Sequence, residues 1–223
     1  MLPPHQPKIQ RADWPIVTAL IVLSLIPALG GVVRLTDLAN STAITPDNAR
    51  FMAVPLPVII HIISALAFSV IGAFQFAPKF RQRHPKWHRA AGRWLMLAGL
   101  ASALSGIWMT LFYTIPQALQ GPLLYVVRLL AGVGMAISIV LAWNTVRRKN
   151  INAHRAWMMR AYALGQGAGT QALIFVPYSL LVGQPNQITR DLLMTAAWVI
   201  NVVLVEWLLR RRSAPAMATV QPA

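Results

Sequence analysis

The residues of this sequence with chemistry to offer are a few histidines, arginines and a single glutamate, and most of them lie in or beside apolar stretches. His88 and His154 are each followed by arginine, in His88-Arg89 and His154-Arg155. Each opens a long apolar run of the same direction, so the two imidazoles are expected at one depth. Two neutral imidazoles on facing helices can ligate one iron axially. Arg89, Arg155 or Arg160 suits the carboxylates of a haem, because a guanidinium binds them as a fork. The plainer reading places both histidines at headgroup level beside Trp87 and Trp157, where amphipathic rings sit comfortably.

A second pair stands deeper. His61 lies about eight residues into one apolar run and Arg128 a similar distance into another, roughly 10 Å below the same surface at 1.5 Å per residue. Ionisable groups inside a bilayer are costly and mark function by default. Together His61 and Arg128 read as a site for a quinone or another anionic or carbonyl headgroup. Glu206 and Arg160 fall at similar depth near the other surface. An ion pair between them is the economical reading, with proton carriage as the alternative.

These groups need elements to hold them. Six apolar runs reach the roughly 20 residues that span a bilayer: Trp14–Val33, Ala53–Ala77, Arg93–Ile115, Leu123–Val146, Ala156–Val182 and Leu192–Leu209. Proline and glycine punctuate the joins at Pro46, Pro55, Pro57, Pro78, Pro116, Gly121-Pro122, Gly183 and Pro185. The second run carries a stripe of His61, Ser64, Ala65, Phe68, Gly72 and Gln75 at helical spacing, which should point inward. Gln166, Thr170, Gln171 and Asn201 read as hydrogen-bond partners between helices. His84 is followed by Pro85 in a basic loop, where a regular helix is not expected.

Composition agrees with a membrane protein. Of 223 residues 57% are hydrophobic and 11% charged, against about 25% charged in a typical soluble domain. There are 20 Lys+Arg and 5 Asp+Glu, for a formal charge of +15. The cations cluster at Lys8 and Arg11, from Lys79 to Arg93, from Arg147 to Arg160, and at Arg210, Arg211 and Arg212. Arg34, Arg50 and Arg190 alone occupy the alternate joins. By the positive-inside rule both ends are cytoplasmic, and the basic loops meet anionic lipid headgroups, not nucleic acid. The expected fold is all-α: a cytoplasmic arm over residues 1–13, one six-helix transmembrane domain over 14–211, and a disordered cytoplasmic tail over 212–223. The first run is long for a signal-peptide core and reads as a retained helix.

Some chemistries fail on inventory. With no cysteine there are no disulfides, thiolate metal sites, iron–sulfur clusters or cysteine nucleophiles. No Ser–His–Asp order or paired intramembrane carboxylates support a hydrolase. Gly165-Gln166-Gly167-Ala168-Gly169 follows no strand and is not a dinucleotide fingerprint.

Several segments carry a family resemblance: Phe74-Gln75-Phe76, His88-Arg89-Ala90-Ala91-Gly92-Arg93, Ser105-Gly106-Ile107-Trp108-Met109 and His154-Arg155-Ala156-Trp157-Met158-Met159-Arg160. From about Pro55 to Arg211 the chain resembles an uncharacterised bacterial family of multi-pass membrane proteins, catalogued as a domain of unknown function. That resemblance implies a bacterial inner-membrane location and no established activity. The layout of histidines is similar to the six-helix cytochrome b561 type, in which paired histidines hold two b haems. It implies haem iron between His88 and His154. His61 faces Arg128 where that type has a second histidine, which puts a second haem in doubt. Gly30-Gly31-Val32-Val33-Arg34-Leu35-Thr36 is similar to a short stretch of haem A synthases, but Leu38-Ala39-Asn40-Ser41 departs from it. The function expected is a b-type haem-binding or quinone-interacting redox protein. A small transporter or channel, or an accessory subunit bound to a membrane protein partner, is the alternative, and whether the chain is an enzyme stays open.

Overall fold

The computed structural model describes residues 14–40 and 43–213, and among them the regular structure is entirely helical. The arm over residues 1–13 and the tail from residue 214 onward lie outside the described residues. Helix α1 spans Trp14–Ala39 and the short α2 spans Ala49–Ala53. Helix α3 (Pro55–Leu66) continues through a π-helical turn (Ala67–Ile71) to a 3-10 turn (Phe74–Phe76). Then follow α4 (Pro78–Arg83), α5 (Pro85–Phe112), α6 (Pro122–Arg147), α7 (Ile151–Gly165), α8 (Gly167–Leu181) and α9 (Gln187–Ser213). Pro55, Pro78, Pro85 and Pro122 each stand in the first turn of a helix, where the missing N–H costs nothing.

Five helices among the described residues are long and apolar enough to cross a membrane: Trp14–Ala39, Pro55–Phe76, Pro85–Phe112, Pro122–Arg147 and Gln187–Arg211. The run expected as one continuous helix over Ala156–Val182 is instead α7 and α8, of 15 residues each, meeting at Gln166. Helix ends also differ from the apolar runs. Helix α5 starts at Pro85, not Arg93, and α9 extends through Ser213, past the start of the expected tail. Hydropathy marks where lipid contact begins, whereas a helix can run on into the headgroups with Lys86 and Arg89 on its surface.

Helix α5 packs between α3 and α6, α6 against α7, and α9 along both α7 and α8, with α1 against α8 and α3. Phe68, Met135, Ile139, Ala161 and Tyr162 form the apolar centre. Most of the buried polar residues are hydroxylic, among them Ser24, Ser64, Ser102, Ser105, Thr110, Ser138 and Thr170. Meanwhile Trp94, Leu180 and Leu181 are among the most exposed side chains, at 73%, 80% and 85%. Polar groups facing inward and large apolar groups facing outward is the arrangement that a lipid solvent selects. The inward stripe on α3 holds: Ser64, Phe68 and Gly72 are buried.

The two irregular places are stitched to neighbouring helices. At the break, Trp198 Nε1 donates to the Leu164 carbonyl at 3.1 Å and Asn201 Nδ2 to the Ala163 carbonyl at 3.0 Å. Gln166 Nε2 donates to Ser24 Oγ of α1 (3.1 Å) and to the Tyr162 hydroxyl (2.8 Å). Tyr162 in turn donates to the Ser69 carbonyl in the π turn at 2.6 Å. Thr170 donates to Asn201 at 2.9 Å and Gln171 to the Met194 carbonyl at 3.2 Å. All four residues expected to bridge helices do so.

Gly167 sits against the Trp198 indole so closely that any Cβ there would collide with the ring. Gly167→Ala should therefore displace Trp198, free the Leu164 carbonyl and destabilise the protein by about 1–3 kcal/mol. Gly92, with open space around it, serves as the control: Gly92→Ala should leave the thermal midpoint of the detergent-solubilised protein where it was. Equal midpoints for the two variants would refute the stitched-break account.

Candidate functional site

Ionisable side chains gather at two ends of the bundle. The basic end holds the starts of α5 and α7. His84 closes α4 outside helical geometry (φ −124°, ψ 59°) and stacks on Phe80 at 4.8 Å, as its proline neighbour demands. His88 and His154 lie within electrostatic reach of each other. His154 Nδ1 is 2.9 Å from the Ala142 carbonyl oxygen. A carbonyl only accepts, so Nδ1 carries a proton directed at it. His88 Nδ1 is buried with no partner. An imidazole held by a backbone carbonyl and another with an unsatisfied buried nitrogen are the kind of donors that would hold a haem iron. A groove of about 570 Å³ opens further along α5 and α6, lined by Arg93, Trp94, Leu97, Ile139, Val140 and Trp143. Its walls are almost wholly apolar and neither histidine lines it, so the groove by itself suits an acyl chain.

Arg160 is engaged elsewhere. Its Nε donates to Glu206 Oε1 at 2.6 Å and its Nη2 to Oε2 at 3.0 Å, with Trp157 stacked 4.6 Å away. The expected ion pair is formed, as a two-pronged fork that occupies the carboxylate-binding edge of the guanidinium.

His61 and Arg128 serve different helices. His61 Nδ1 lies 2.9 Å from the Ser102 carbonyl and 3.2 Å from Ser105 Oγ, with its ring against Gly106 of α5. Arg128 Nη1 donates to Gln120 Oε1 instead. Its charged neighbours are Asp191, Arg50 and Arg190. Arg50 in turn neighbours Arg34, Asp47 and Tyr113. Burial, and then the charge of Arg34, hold Arg50 below the ordinary guanidinium range. Phe51 is flanked by Arg34 at 4.6 Å and Arg50 at 4.3 Å, and Arg190 stacks on Phe175 at 4.7 Å. Arg50 Nη1 and Arg190 Nε are buried without acceptors.

Asp191 explains the start of α6. Its two carboxylate oxygens accept the Gly121 N–H at 3.0 Å and the Leu124 N–H at 3.1 Å, and it is 3% exposed. A carboxylate at a helix N-terminus satisfies orphan donors and complements the dipole. The approach is so close that a Cβ on Gly121 would overlap Asp191 and Gln187. The sequence does carry a signal for this cap: Gly121-Pro122 opens a helix with no local capping side chain, so a partner from afar is required. Arg50 and Arg190 carried no such signal, because nothing in one chain segment tells which arginines will meet.

Arg160→Met and Glu206→Met should each destabilise more than the double variant does. The coupling should be on the order of 1 kcal/mol, since both groups are about a third exposed. Additive midpoints in a thermal double-mutant cycle would show the fork to be energetically idle.

A family model described as "Predicted membrane protein (DUF2306)" matches residues 58–209. No curated protein and no solved structure matches the chain.

Proposed function

We infer a function from one premise: this chain belongs to the DUF2306 family of predicted membrane proteins. The reading that the geometry supports best is a b-type membrane redox protein of the bacterial inner membrane, holding one haem between His88 and His154. What supports it is that these two imidazoles, at the starts of α5 and α7, lie within electrostatic reach of each other, one bonded to the Ala142 carbonyl and one with a buried unsatisfied nitrogen. When bound, the haem would supply one-electron chemistry. The protein's own groups hold the ligand rings: the Ala142 carbonyl holds His154 Nδ1, and Phe80 with Phe74 packs on Trp87 beside His88. Arg89 and Arg155, each next to a histidine, are the cations free to meet propionates, since Arg160 is held by Glu206. A quinol or a membrane protein partner is the electron donor this reading calls for.

The same reading makes α7 and α8 together the sixth crossing. Their combined length exceeds a bilayer, and the polar groups freed at the break are satisfied within the bundle, as lipid demands. Charge alternation supports both termini on the cytoplasmic side.

Detergent-purified protein supplied with haem should give a dithionite-reduced minus oxidised b-type spectrum. His88→Ala and His154→Ala should each abolish it at unchanged membrane expression. A flat baseline from well-folded wild type would remove the haem reading, and full spectra from both variants would remove the ligand assignment. Alkaline phosphatase fused after Thr45 or Gly183 should be active, and after His84 or Lys149 inactive. The reverse pattern would invert the topology.

A further inference from the structure

We propose that the end of the bundle opposite the histidines is an oxyanion site, in which Arg128, Arg50 and Arg190 bind a phosphate-type group. The arginines arrive from separate elements, α6, α2 and α9, with Arg34 of α1 behind Arg50. This is the end where the charge pattern leaves few cations, yet those present converge instead of dispersing. Like charges held together in a partly buried setting repel, and the repulsion needs a compensating anion.

The carboxylates nearby do not fully meet that need. Asp37 pairs with Arg34 at 3.5 Å. Asp191 gives both oxygens to the α6 N-terminus. Asp47 is the anion in the field of Arg50. Arg128 bonds to Gln120, a neutral amide. Two guanidinium donors, Arg50 Nη1 and Arg190 Nε, remain buried without an acceptor. Leaving a buried charged donor unsatisfied is costly, so the arrangement is complete only when a ligand brings oxygens. Guanidiniums bind phosphate and carboxylate oxygens in planar forks. Three of them approaching from different elements match the several oxygens of a phosphoryl group better than the two of a carboxylate. The group could come from a lipid headgroup or from a dissolved phosphate, and the chemistry is shared. This site is independent of the haem reading, since it uses none of its residues and lies at the other end. It uses Arg128 without His61, whose Nδ1 lies at Ser102 and Ser105 of α5.

The test uses the full-length protein, freed of lipid in detergent, and two probes. Inorganic phosphate is titrated at constant ionic strength against a chloride control by calorimetry. In parallel, native mass spectrometry counts phosphatidylglycerol retained over phosphatidylcholine from mixed nanodiscs. One saturable event with at least one probe is expected, and which probe binds identifies the source. Arg50→Gln and Arg190→Gln should each weaken it about tenfold or more, as loss of one charge-assisted contact implies. Arg148→Gln, at the basic end, should leave it unchanged. Should the glutamine variants fail to insert, Arg50→Lys and Arg190→Lys retain the charge but lose the fork, and intermediate binding is expected. Absence of binding by both probes overturns the proposal, as does binding that every outer variant leaves intact.

Discussion

Inside a bilayer every backbone N–H and C=O must find a partner in the protein, and this constraint organises the molecule. A regular helix meets it alone. Where this chain departs from regular helix, three departures among the described residues have a named partner on another element. The break at Gln166 gives the Ala163 and Leu164 carbonyls to Asn201 and Trp198 of α9. The π turn after α3 gives the Ser69 carbonyl to Tyr162. The bare start of α6 takes Asp191. Since the partners sit on α9 and α7, these bonds also fix which helices are neighbours.

The same bonds relay position through the bundle. Gln166 links Ser24 on α1 to Tyr162, and Tyr162 reaches the π turn next to Phe68. Phe68 fills the space beside Gly99 and Gly165, so α5 and α7 close on it from opposite sides. Histidines at the starts of α5 and α7 therefore share one electrostatic neighbourhood, because the helices carrying them are clamped to one aromatic ring. At the other end Asp191 ties α9 to α6, which places Arg190 and Arg128 in one electrostatic neighbourhood.

The two ends thus differ in kind. The basic end presents His88 and His154 among arginines. The far end presents guanidiniums, two of which carry a buried donor without an acceptor. The apolar groove along α5 and α6 belongs to neither, since neither of these histidines and none of the outer arginines lines it.

Much of this was legible along the chain. Apolar length and the alternation of basic joins follow from composition alone, because lipid and headgroups sort residues one position at a time. Helical spacing was enough to foresee the inward stripe of α3, and depth was enough for the Arg160–Glu206 fork. The bridging roles of Gln166, Thr170, Gln171 and Asn201 follow from the cost of an amide or hydroxyl in hydrocarbon. The break at Gln166, the cap by Asp191 and the meeting of Arg50, Arg128 and Arg190 were not legible. Each depends on atoms far apart in sequence, and no local preference names the partner. A helix breaks in a membrane only where another helix can take up the freed carbonyls, so that decision belongs to the tertiary structure.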